Sequence, residues 1–79
     1  MEYANGVPYG LSASVWTSDL QRAHRFSARL ETGMVWVNTW LMRDLRVPFG
    51  GVKESGLGRE GGAHSLGGFS ESRNICLKL

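Results

Sequence analysis

With 79 residues, one cysteine, and histidines far apart at 24 and 64, the chain has room for one small domain. It has no internal disulfide or Cys/His zinc cluster to staple that domain. A formal charge of +2, with acids scattered among the arginines, offers no basic block for nucleic acid, and no apolar run reaches membrane-spanning length.

No signal-peptide layout is present, so the default expectation is a cytoplasmic protein with neither nucleic acid nor membrane as partner. Residues 2–5 read as the end of a helix stopped at Gly6, and Val7-Pro8-Tyr9-Gly10 as a turn. Residues 11–17 alternate, with Leu11, Ala13 and Val15 on one face and Ser12, Ser14 and Trp16 on the other, which predicts a strand. Ser18 stands as an N-cap, and Gln21 completes a capping box. Beyond it Leu20, Ala23, Ser27, Leu30 and Met34 recur at spacings of three and four, widened by Phe26. Arg22, Arg25 and Arg29 fall on other faces, so the segment reads as an amphipathic helix of about four turns. Gly33 serves as its C-terminal stop.

Residues 34–38 are apolar almost throughout, which suits a strand covered on both faces. Strand, helix and strand together make a βαβ unit of an α/β domain. One such unit is too little sheet to stand alone, so dependence on a partner, or fragment status, is the leading expectation. A loop over 39–47 leads into a glycine-rich run at 48–62, then a short helix within 59–69 weakened by Gly61, Gly62, Gly67 and Gly68. Residues 74–79 predict a terminal strand that needs a sheet edge to join.

Several motifs have ordinary explanations. Gly56-Leu57-Gly58-Arg59-Glu60-Gly61 has the spacing of a dinucleotide fingerprint, but the strand before it is poor and the ribose-binding acid would fall beyond Leu79. Cys76, between Ile75 and Leu77, reads as a packed or sheet-edge cysteine rather than a nucleophile. His24 reads as solvent-facing and His64 has no ligand partner nearby. Trp16, Trp36 and Trp40 read as core. Arg43-Asp44-Leu45-Arg46 is either a solvated loop with salt bridges or a carboxylate-binding pair, because guanidinium forks match carboxylates.

The run Pro48-Phe49-Gly50-Gly51-Val52-Lys53-Glu54-Ser55-Gly56-Leu57-Gly58-Arg59-Glu60 resembles the C-terminal signature of the NAD(P)-dependent aldehyde dehydrogenases, Pro-Phe-Gly-Gly-x-Lys-x-Ser-Gly-x-Gly-Arg-Glu, at every fixed position. Tyr9-Gly10-Leu11-Ser12-Ala13-Ser14-Val15 and Leu30-Glu31-Thr32-Gly33-Met34-Val35-Trp36-Val37-Asn38 are similar to two further segments of that family. Asn38-Thr39-Trp40, with the arginine loop, resembles the 2-hydroxymuconic and 2-aminomuconic semialdehyde dehydrogenases and their retinal-type relatives.

The resemblance implies that residues 1–73 are the C-terminal part of a catalytic domain and residues 74–79 an oligomerisation strand, with other dehydrogenase subunits as partners. It implies an enzyme that oxidises an aldehyde to the acid with NAD or NADP through a cysteine thiolate and a glutamate base. Those residues and the cofactor domain would lie upstream, so this chain alone is expected to bind no cofactor and to be inactive. Phe49 would line the substrate tunnel with Asn38 near it, and Arg43 or Arg46 would pair with the carboxylate of a semialdehyde acid. Glu60 would join a proton relay, and the carbonyls of Lys53 and Gly56 would hold a potassium ion. Gly50, Gly51, Gly56 and Gly58 would shape the loop. Leu66-Gly67-Gly68-Phe69-Ser70-Glu71-Ser72-Arg73 departs from the family pattern and loosens the approach to the last strand. The rival expectations are a small interaction protein that docks on a full-length subunit through its helix stripe and terminal strand, and a truncated product with no role of its own.

Overall fold

A computed structural model describes all 79 residues. In chain order the elements are α1 (Glu2–Asn5), β1 (Tyr9–Gly10), β2 (Ser12–Val15), α2 (Leu20–Arg29), β3 (Met34–Val37), β4 (Val52–Lys53) and α3 (Gly62–Gly68). Strands β2 and β3 run parallel, from Ser12 opposite Met34 to Val15 opposite Val37, with α2 as the crossover. The expected βαβ unit is therefore present. Strands β1 and β4 form a separate antiparallel pair, with Tyr9 opposite Lys53 and Gly10 opposite Val52. That pair places the glycine-rich loop against the N-terminal segment.

Helix α2 begins one residue later than its sequence implies. Asp19, in extended conformation, is the N-cap and accepts a hydrogen bond from the Arg22 backbone N–H at 3.0 Å. Thr17 Oγ1 in turn accepts from the Asp19 N–H at 3.1 Å. A carboxylate here satisfies one of the free N–H groups of the first turn. The helix ends at Arg29, short of Gly33, because Asn5 caps it from a distance: Asn5 Nδ2 donates to the Arg29 carbonyl and Asn5 Oδ1 accepts from the Glu31 N–H, both at 2.9 Å. Of the predicted stripe, Ala23 is buried and Phe26, Ser27 and Leu30 are half-buried, while Leu20 stays exposed. His24 is exposed, as its neighbours imply.

Gly33 has a packing role instead. A Cβ built on it would lie on the Gly50 carbonyl oxygen, so the glycine loop rests directly on the entrance to β3. Gly61, at φ 113°, and Gly62, at φ 54°, turn the chain into α3 through conformations that L side chains rarely adopt.

The buried side chains are those of Ala23 and Trp36. The Cα radius of gyration is 17.3 Å, against about 12 Å for a compact domain of this length. The core is correspondingly thin, and three expectations change with it. Strand β3 is not covered on both faces, since Val37 is exposed and only Trp36 is buried. Trp16 and Trp40 are surface residues at 67% exposure each, leaving Trp36 alone as a core tryptophan, its indole N–H donating to the Met42 carbonyl at 2.7 Å. Residues 74–79 form no strand; they run exposed, with Cys76 neither packed nor at a sheet edge. An extended segment is stabilised by a ladder partner, and neither two-stranded sheet takes it up. No helix is long and apolar enough to cross a membrane.

Candidate functional site

The residues singled out for chemistry lie between the end of β3 and the start of α3. Asn38 leaves β3 with φ 55°, a conformation that asparagine tolerates better than most residues. Its side chain closes on Thr17: Oδ1 accepts from the Thr17 N–H and Nδ2 donates to the Thr17 carbonyl, both at 2.9 Å. Its own N–H donates to the Val15 carbonyl at 2.8 Å. The amide thus extends the β2–β3 pairing by one position and redirects the chain into the loop that follows.

In that loop the two arginines part company. Arg46 is held by Asp44, with Nε donating to Oδ1 at 3.0 Å, Nη2 to Oδ2 at 2.8 Å, and the Arg46 backbone N–H to Oδ1 at 2.9 Å. These bonds hold the Asp44 carboxyl below the usual carboxylate range, the guanidinium contributing most and the backbone N–H next. The same pair pushes Arg46 further up. Arg43 forms no ion pair; its guanidinium sits 4.2 Å from the centroid of the Phe49 ring. Arg43, Asp44, Val47, Pro48 and Phe49 line a cleft of about 90 Å³ with Met34 at its side.

Phe49 and Glu60 form an isolated antiparallel bridge, each N–H donating to the other's carbonyl at 2.7 Å. The bridge pinches residues 49–60 into a closed loop. Arg59 crosses inside it, Nη1 donating to the carbonyls of Gly51 at 3.0 Å and Gly58 at 2.9 Å. Glu60 is exposed beside an open groove that it shares with Leu11, Phe49, Ser55 and Arg59. Gly51 is buried, and a Cβ on it would meet Ser55; Gly50 abuts the Gly58 carbonyl. Gly56 would accept a Cβ at ordinary contact distance and Gly58 has open space around it, so neither is required by packing within this chain.

The structure therefore brings together Arg43, Phe49 and, through the bridge, Glu60. Asn38 stands apart, occupied by Thr17, and Arg46 is occupied by Asp44. The potassium expectation and the fingerprint-like spacing can both be set against the residues present. Hard cations such as calcium take about six to eight oxygen ligands, and the carbonyls of Lys53 and Gly56 supply two, too few to hold potassium without further donors. The fingerprint-like glycines do not fit a dinucleotide. The strand before them, β4, pairs antiparallel with β1 over two residues, whereas the fingerprint needs a parallel strand feeding a helix. Sequence reasoning missed the side chains of Asn5 and Lys53 because their partners, mostly backbone groups with the Glu31 carboxylate besides, lie on distant segments and leave no periodic trace.

A larger hollow of about 370 Å³ lies between α1, β2 and α2, lined by Ala4, Ala13, Val15, Trp16, Phe26 and Leu30 among others. Its one charged residue is Arg22, so it is an uncovered apolar face rather than a chemical site.

Comparison with known proteins gives this geometry a setting. Residues 1–75 match the aldehyde dehydrogenase family. The chain is 58% identical over 79 residues to 2-hydroxymuconic semialdehyde dehydrogenase of Pseudomonas sp. (strain CF600), covering 100% of the chain and 16% of the relative. It is 50% identical over 78 residues to 2-aminomuconic semialdehyde dehydrogenase of Homo sapiens, covering 99% of the chain and 16% of the relative. Among solved structures, the NAD+ complex of an aldehyde dehydrogenase from Bacillus cereus superposes with a TM-score of 0.83 at 41% identity, over 89% of this chain and 14% of that one. HpcC from Thermus thermophilus superposes with a TM-score of 0.76 at 55% identity, over 78% of this chain and 12% of that one. The chain thus spans about a sixth of the length of the relatives it matches. With the family match over residues 1–75 and the identity to these relatives across the chain, the chain belongs to the aldehyde dehydrogenase family.

Proposed function

We propose that this segment forms the substrate-facing wall of an enzyme that oxidises a muconic-type semialdehyde to the corresponding acid with NAD or NADP. The observation that carries the reading is the unpaired Arg43 guanidinium lying over Phe49 in a small cleft while Arg46 is neutralised by Asp44. A cation on an aromatic wall suits a substrate that bears a carboxylate away from its aldehyde. Arg43 pairs with that carboxylate, and the Phe49 ring packs against the carbon chain. Asn38 acts on the site by directing the loop. Glu60 offers a carboxylate at the loop neck for moving a proton. A nicotinamide held by the rest of the enzyme would supply the hydride-acceptor chemistry that aldehyde oxidation needs.

The nucleophile, the base and the cofactor platform belong in this reading to other parts of the polypeptide. Cys76 lies in the exposed tail and is not the nucleophile. The uncovered apolar hollow and the thin core support dependence on further polypeptide. Residues 74–79, with Ile75, Leu77 and Leu79 exposed, take up a sheet edge of a neighbouring dehydrogenase subunit.

The test is a chimera in which this chain replaces the matching residues of the Pseudomonas sp. CF600 relative. NADH formation from 2-hydroxymuconic semialdehyde by the chimera, and none by the chain alone, is the expected result. A folded chimera that oxidises aldehydes without a carboxylate as readily as the semialdehyde acid would refute the substrate assignment.

A further inference from the structure

Lys53 occupies a left-handed backbone position at φ 54°, where glycine or asparagine would sit with less strain. Its side chain, 25% exposed, meets three acceptors from two other parts of the chain. Nζ donates to the carbonyls of Asn5 at 2.8 Å and Val7 at 3.1 Å, and pairs with Glu31 Oε2 at 2.6 Å. An ammonium has three N–H donors and no acceptor, so these three partners use all of it. Two of them are carbonyls at the C-terminal end of α1 and just beyond it, where a cation is favoured. Asn5 also holds Glu31 through its backbone N–H, so residues 5, 31 and 53 form one closed knot.

The knot lies at one edge of the glycine loop. Ser55 Oγ accepts from the Gly10 N–H at 2.9 Å, and the Glu54 N–H donates to the Pro8 carbonyl at 3.0 Å, so the tip of the loop is seated on the N-terminal segment. At the other edge Gly50 lies on Gly33, and Phe49 is the residue immediately before Gly50. Between Lys53 and Phe49 the chain passes through Gly51 and Gly50, both closely approached by other parts of the loop, and Arg43 lies over the Phe49 ring.

We propose that Lys53 is a positioning residue: its ammonium, not its turn geometry, seats the glycine loop and so fixes the Phe49–Arg43 wall against the substrate. The kinetic part rests on the function proposed above. Lysine suits the position because a compact ammonium with rotatable donors serves three acceptors around a point, whereas a planar guanidinium serves acceptors in its plane.

The experiment uses the chimera with Lys53→Gly, Lys53→Met and Lys53→Arg, read by amide hydrogen exchange and by steady-state kinetics. Lys53→Gly is the decisive variant, since it relieves the backbone conformation while removing the ammonium. Lys53→Gly and Lys53→Met are expected to speed exchange at residues 50–58 by about tenfold while residues 34–37 keep their protection. Both should raise KM for the semialdehyde by about tenfold with kcat changed less than about threefold. Lys53→Arg should fall between them and the parent. Protection and KM unchanged in Lys53→Gly would overturn the proposal, as would equal loss of protection in β3. If the unsubstituted chimera forms no NADH, the functional reading fails on its own, and the exchange data still decide whether Lys53 seats the loop.

Discussion

Replacing Arg43 by methionine separates charge from packing, because the apolar stem is kept and the guanidinium removed. A hydrogen bond from a charged donor to a carboxylate contributes about 1.5–3 kcal/mol. At about 1.36 kcal/mol per factor of ten, that is roughly 10- to 150-fold in kcat/KM for a semialdehyde acid. The cation–π contact with Phe49 contributes about 0.5–1 kcal/mol at an exposed site. Its loss lowers kcat/KM by roughly two- to fivefold for any aldehyde, because it loosens the same wall. The measurement is therefore a ratio: kcat/KM for 2-hydroxymuconic semialdehyde over kcat/KM for a neutral aldehyde of similar length, in the chimera and in its Arg43→Met variant. The ratio should fall by about tenfold or more. Arg46→Met, whose guanidinium is already engaged by Asp44, should leave the ratio close to the parent's. An unchanged ratio in Arg43→Met, or a larger fall in Arg46→Met, would refute the reasoning and return Arg43 to the role of a loop residue.

Asn38→Ala should destabilise the chimera by about 2–4 kcal/mol in urea unfolding, from two lost hydrogen bonds and a side chain placed in the left-handed region. Asn38→Gly should lose only the hydrogen bonds, so equal effects of the two variants would show that the backbone conformation carries no cost. Gly33→Ala should cost about 1–3 kcal/mol or more, because its Cβ meets the Gly50 backbone rather than a movable side chain; a wild-type melting temperature would contradict that packing. For Asp44 the sign is that of a depressed carboxyl. Its contribution to loop order is present at neutral pH and is lost only as pH falls below the ordinary carboxylate range. A carboxyl-carbon NMR titration should show its midpoint returning toward the ordinary value in Arg46→Met, and an unmoved midpoint would count against the pairing.

The parts of this molecule legible in the sequence are those built from local chemistry. Alternation at 11–17, spacing of three and four through α2, and the apolar run before Asn38 are periodic, and periodicity is what a strand or an amphipathic helix imposes on its own residues. The glycine-rich run is legible as a motif because so many glycines mark close backbone approach, and its likeness to a family pattern supplies the candidate site residues. What the tertiary structure decided depends on partners far away in the chain. That the Asn38 amide closes on Thr17, and which of Arg43 and Arg46 keeps a free guanidinium, turns on groups meeting across a loop. The stop of α2 at Arg29 depends on Asn5, and the place of the glycine loop depends on Lys53 reaching Asn5, Val7 and Glu31. Residues 74–79 show the same division: their apolar pattern fits a strand, but a strand is a relation between two segments, and this chain leaves that segment unpaired.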